Sequence, residues 1–124
     1  MIAKNYADLS DYKAVYDVLF KYCNEGCVAN IPEVKKAFHE KAVMNGYAGD
    51  GNYVYGPIQG LYDLYEKIGG STRNFHVDVL DIAGNIAVGK CVIEDWHGHD
   101  YVDYHELIKE NGEWKIIAKI YNQF

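Results

Sequence analysis

At 124 residues the chain can bury a core without disulfides or a structural metal, and it reads as a single domain over 1–124. Its formal charge is −6 with no cluster of Lys or Arg, which argues against a nucleic-acid partner. No apolar run approaches the ~18 residues of a membrane span, and the opening Met1–Tyr6 lacks the apolar centre of a secretion leader, so a cytoplasmic protein is expected.

Leu9, Tyr12, Tyr16, Leu19 and Cys23 recur at three- and four-residue steps and predict an amphipathic first helix. Asp8 or Ser10 caps its start and Gly26 stops it. Asn30-Ile31-Pro32-Glu33 has the form of an N-cap with a returning Glu, Pro being tolerated in the first turn. Val34, Ala37 and Phe38 give that short second helix its buried side. His39 to Tyr47 and Asn52 to Tyr55 read as strands separated by Gly-Asp-Gly. Leu61, Leu64, Tyr65 and Ile68 mark a third helix, closed by Gly69-Gly70.

From Arg73 onward three turns punctuate the chain: Gly84-Asn85, Gly98-His99 and Asn111-Gly112. The last lies between apolar-rich runs and is the strongest short-range hairpin signal. If each is a two-residue loop, residue 83 pairs with 86, 97 with 100 and 110 with 113. One face then carries Phe75, Val77, Val79, Val88, Lys90, Val92, Glu94, Trp96, Tyr101, Asp103, His105, Leu107, Trp114, Ile116, Ala118 and Ile120, and should receive the helices. The other carries His76, Asp78, Leu80, Cys91, Ile93, Tyr104, Glu106, Ile108, Ile117, Lys119 and Tyr121. A bulge in any strand inverts everything beyond it.

In that register Glu94 stands opposite Asp103, with His105 two residues along on the same face. Two carboxylates and an imidazole among apolar neighbours have the makings of a general acid/base site, Asp103, His105 and Glu94 being the candidate catalytic residues. One of the carboxyls should titrate well above its ordinary value, and Asp103→Asn should be neutral or stabilising. The competing reading is a structural polar network satisfied by water and Tyr hydroxyls. His97, His99 and His105 suggest a metal, but the strand rise carries His105 too far from the turn for one ion, and no metal is expected. Cys23, Cys27 and Cys91 form neither a disulfide framework nor a paired zinc motif, and read as reduced, half-buried thiols.

The chain has 12 tyrosines, a side chain suited to apolar surfaces that need a polar tip. Tyr12, Tyr16, Tyr55, Tyr62, Tyr65 and Tyr101 are candidate cavity or core residues. Tyr16, Tyr55, Phe75, Trp96, Tyr101, Trp114 and Ile116 are the candidate ligand-binding set. Dinucleotide, P-loop, serine-hydrolase and zincin motifs are missing, and no cofactor is expected.

Tyr22 to Gly26, Phe38-His39-Glu40-Lys41-Ala42, Gly84-Asn85-Ile86-Ala87, Asp103-Tyr104-x-x-Leu107 and Gly112-Glu113-Trp114-Lys115-Ile116-Ile117-Ala118-Lys119 together resemble the nuclear-transport-factor-2-like (NTF2-like) superfamily, in its lumazine-binding-like branch. The resemblance covers nearly the whole chain through structural motifs. It implies an α+β, cystatin-like cone: three N-terminal helices on a strongly curved, mixed, mainly antiparallel sheet, with an apolar cavity at the mouth. Against the ketosteroid isomerases of that superfamily, Asp103 matches the late-strand Asp. The base position falls near Asn45-Gly46 and the first-helix Tyr position at Leu19, so isomerase chemistry does not carry over. Three functions follow: a domain binding a small apolar or aromatic molecule, a cofactor-independent lyase or isomerase acting on an apolar cyclic substrate, or a structural module. The far sheet face, with Ile93, Tyr104, Ile117 and Tyr121 near its centre, is expected to be covered by a second copy, as in the back-to-back dimers of the superfamily.

Overall fold

The computed structural model describes residues 7–124; the stretch read for a leader, Met1–Tyr6, lies outside the described residues. Helix α1 (Leu9–Gly26) opens on a reciprocal capping box, in which Asp8 and Asp11 each accept from the other's backbone N–H. The helix ends at Gly26 as expected, though not through a left-handed glycine: the Cys27 N–H still reaches Cys23 O at 3.0 Å. Gly26 serves packing instead, because a Cβ there would lie 2.7 Å from the Tyr65 hydroxyl. Helix α2 (Ile31–Ala37) lacks the expected side-chain cap. Asn30 donates to Glu25 at 3.0 Å, and Glu33 pairs with Lys21 and Lys36 rather than turning back.

Strand β1 (Phe38–Tyr47) leads to β2 (Tyr53–Pro57), helix α3 (Gln59–Ile68) and the meander β3 (Phe75–Ala83), β4 (Ile86–Trp96), β5 (His99–Glu110) and β6 (Glu113–Gln123). The six strands make one sheet in the order β2-β1-β6-β5-β4-β3. Among the described residues only β1 and β6 run parallel; every other pair is antiparallel. The helices pack on one face. Val15, Leu19, Val34, Ile82, Leu107 and Ile116 are fully buried between the layers, each contributing roughly 1.5–3 kcal/mol of apolar burial.

The β3–β4 and β5–β6 turns pair Ala83 with Ile86 and Glu110 with Glu113, as their sequences predict. The β4–β5 turn does not. Trp96 pairs with His99 around His97-Gly98, whose φ values of 51° and 81° suit a right-handed-twist hairpin turn. A bulge at Glu94–Asp95 then adds further slip, Asp95 taking φ 53° while its N–H bonds to Asp100 at 2.9 Å. Asp103 therefore pairs with Cys91 rather than Glu94, a slide of three residues, and an odd slide reverses the faces. Gly89, Cys91 and Ile93 point inward, Val88, Lys90 and Val92 outward. A second bulge leaves Ile117 unpaired between Ile116 and Ala118 of β6. It turns Lys119 and Tyr121 inward and Ala118 and Ile120 outward, against expectation. The dimer centre expected at Ile93 and Tyr121 is thereby corrected, since both belong to the inner face; Tyr104 remains outside.

Candidate active site

The helices and the inner sheet face enclose a pocket of about 290 Å³, near the lower end for small-molecule sites. Its walls are mainly apolar: Met44 and Leu61, Cys27 and Ile93, and the rings of Tyr65, Trp96, Tyr101 and Tyr121. Trp96 is fixed by its indole N–H, which donates to Cys27 O at 3.0 Å, and Tyr101 accepts from Gln123 Nε2 at 2.7 Å. Besides Gln123, the polar part of the wall is Tyr22, Asp103 and Lys119, with His105 buried beside Asp103 and not itself lining the pocket, a cluster contributed by three elements. Tyr22 comes from the last turns of α1, Asp103 and His105 from β5, and Lys119 from β6.

Asp103 is the centre. The Tyr22 hydroxyl donates to its Oδ2 at 3.0 Å. His105 Nε2 lies 3.5 Å from the same oxygen and Lys119 Nζ 3.9 Å, ion-pair distances without hydrogen-bond geometry. Among the described residues the other oxygen, Oδ1, has no hydrogen-bond partner, nor does either His105 ring nitrogen. Lys119 Nζ rests over the rings of Tyr22 and Tyr121, 5.1 Å and 5.2 Å from their centroids. The Tyr22 and His105 rings meet edge to face at 5.1 Å.

Burial pushes Asp103 upward, but the Lys119 charge and the contacts with His105 and Tyr22 outweigh it and hold the carboxyl below its ordinary value. This corrects the expected raised carboxyl: the partners of Asp103 are cations, because the register removes Glu94. Burial likewise opposes charge on His105, yet the Cys91 thiolate and Asp103 carry it up to about 9. Cys91 is pulled down to about 6 by the Cys23 thiol, with the His105 charge in support, while that same hydrogen bond pushes Cys23 up. These shifts all run towards an Asp103 carboxylate, a His105 imidazolium and a Cys91 thiolate in the buried cluster.

The expected site residues part company here. Asp103 and His105 come together, whereas Glu94 is solvent-exposed on the β4 bulge. Trp96 and Tyr101 line the pocket. Tyr16 is 43% exposed on α1 and Tyr55 is 73% exposed, stacked on Tyr53 on the outer sheet face. Phe75 packs against Phe20 instead. Trp114 donates to Asp11 at 3.2 Å beside the start of α1, and Ile116 is core beneath α2. His97 and His99 bond outward, to Gly69 O at 3.0 Å and Phe124 O at 3.3 Å, away from His105. Tyr22, Lys119 and Tyr121 were not anticipated as site residues. Tyr22 follows Leu19 by one turn on the buried stripe, which is a legible signal; the inward turn of Lys119 depends on a bulge that leaves none.

A family model described as "Putative lumazine-binding" matches residues 10–122. A curated relative, the aldolase FrzH of a Cladobotryum species, is 27% identical over 117 residues, covering 93% of each chain. Among solved structures, an NTF2-like protein of unknown function from Shewanella baltica superposes with a TM-score of 0.85 at 29% identity, covering 97% of this chain and 98% of that one. Another, from Methylobacillus flagellatus, gives 0.83 at 27% identity with 97% of both chains covered. The architecture is the NTF2-like, cystatin-like fold, three helices on an open six-stranded sheet.

Proposed function

The chain belongs to this lumazine-binding family of NTF2-like proteins, and from that premise we propose that its pocket binds a small, apolar carbonyl compound and moves a proton at the carbon beside the carbonyl. One observation carries the reading: Asp103, 1% exposed, lines an apolar pocket with one carboxylate oxygen left without a partner. A buried acceptor without a donor costs roughly 1–3 kcal/mol, a cost that a ligand's donor or an acidic C–H would relieve. An entering apolar ligand also displaces water and raises the basicity of the carboxylate. Tyr22 and His105 hold Asp103 in place, and the charges of His105 and Lys119 favour the oxyanion that forms as the proton leaves. Making or breaking a carbon–carbon bond beside a carbonyl needs the same proton transfer, and the similarity to an aldolase supports that reaction class.

The test is deuterium wash-in from heavy water into the carbons flanking the carbonyl of benzylacetone, a flexible ketone with one aromatic ring. Exchange above the buffer rate is expected, with a loss of about 10²–10⁴-fold in Asp103→Asn. Binding of apolar ketones and aldehydes without exchange of any of them leaves a ligand-binding domain.

A second reading concerns assembly. Val43, Tyr47, Tyr53, Tyr55, Tyr104 and Ile120 are all more than a third exposed on the outer sheet face. Such an apolar patch favours a back-to-back pair of this chain.

A further inference from the structure

Lysine is a rare residue to find inside a pocket. Lys119 has a side chain only 7% exposed, lines the apolar pocket, and directs its amine at Asp103 and two tyrosine rings rather than at a close hydrogen-bonding acceptor. A lysine serving only as a counter-charge gains most from a close, well-aimed carboxylate; at 3.9 Å from Oδ2, Lys119 lacks one. Its position instead combines a nucleophile with a proton acceptor and a water-poor wall, the requirements for an amine that attacks a carbonyl. His105 stands directly across the β5–β6 ladder from it, and both side chains approach the same Asp103 oxygen.

We infer that Lys119 forms a covalent iminium with the carbonyl compound, a step that rests on the proposed reading of the pocket. The balance is closed by the residues present. The Lys119 ammonium gives one proton to Asp103, and the freed amine attacks the carbonyl carbon. Asp103 returns that proton to the carbonyl oxygen. The nitrogen lone pair then forms the C=N bond as the oxygen leaves with the nitrogen's second proton, relayed by Asp103. Ammonium and carbonyl have become iminium and one water. The cationic iminium draws electrons from the neighbouring carbon, so Asp103 can remove a proton there despite its low basicity.

The test uses the whole chain with benzylacetone and sodium borohydride, which reduces an iminium to a stable amine. Intact-mass measurement and peptide mapping should find one reduced probe on Lys119, with greater occupancy there than at the exposed Lys41 and Lys67. Lys119→Met should lose that adduct, and mapping of the unmodified chain reads the same step without a variant. Labelling confined to surface lysines, or no labelling, overturns the inference. If deuterium wash-in persists while Lys119 stays unlabelled, the acid/base reading stands and only the covalent step falls. If both are missing, the reading beneath it falls as well.

Discussion

Lys119 and His105 face one another across the β5–β6 ladder, both buried, with Asp103 Oδ2 3.9 Å from the one and 3.5 Å from the other. A single carboxylate therefore answers two interior cations. With the Cys91 thiolate behind His105, the cluster balances its charge locally, which is what allows so many ionisable groups to share one apolar core.

Removing the charge of Asp103 should be costly. Asp103→Asn leaves Lys119 and His105 without their shared counter-ion, and breaking a buried pair by removing one partner costs about 3–5 kcal/mol. Urea unfolding followed by circular dichroism measures the loss. A variant as stable as the parent would mean that the cluster is neutral in the folded state. The register decides this sign: with Glu94 opposite, the same substitution would have relieved repulsion.

That reversal marks where the sequence was readable. The helices announced themselves through periodic apolar stripes, and Gly84-Asn85 and Asn111-Gly112 through turn chemistry, since both signals are local. The face assignment of β4 depends on the Glu94–Asp95 bulge, and that of β6 beyond Ile116 on one extra residue, Ile117. No residue type marks either bulge. One hint was available in Gly89, since a glycine inside a strand often marks a close approach. Here it admits Leu19 of α1, whose Cδ2 would lie 3.2 Å from an added Cβ, in keeping with Gly89, Cys91 and Ile93 facing the helices.

A second glycine links fold to pocket. An alanine Cβ at position 46 would lie 2.5 Å and 2.6 Å from ring carbons of Tyr121 and would press on its backbone oxygen. Because Tyr121 lines the pocket and pairs with β1, the ring cannot retreat without disturbing the β1–β6 ladder. Gly46→Ala should cost about 1–3 kcal/mol and weaken benzylacetone binding measured by ligand-observed NMR. Unchanged stability and unchanged binding would show that Tyr121 moves freely.

The pH dependence of stability follows from two opposed shifts. His105 is raised from 6.5 to about 9, so its contribution is complete below 6.5 and is lost as pH climbs towards 9. Cys91 is lowered from 9 to about 6, so its contribution appears as pH rises above 6 and is complete by 9. Between these limits the folded pair holds one proton, on the imidazole, and the unfolded pair also holds one, on the thiol. The two slopes cancel, and stability should be nearly level across that window. Denaturant midpoints taken through it provide the check. A clear decline across the window would show that Cys91 stays protonated and that Asp103 alone holds the His105 charge.

The outer face makes the last prediction. Tyr104 and Ile120 are direct partners on neighbouring strands, 47% and 57% exposed, and the stacked rings of Tyr53 and Tyr55 extend the patch along β2. Burying such side chains is worth roughly 25 cal/mol per Å² of apolar area. The chain should therefore sediment at twice its 14.1 kDa mass at micromolar concentration. A charge at the centre of that contact would be buried without a partner in both copies, so Tyr104→Glu or Ile120→Glu should give monomer while leaving the inward-facing pocket intact. Light scattering that returns a 14.1 kDa particle for the parent chain would rule the pair out.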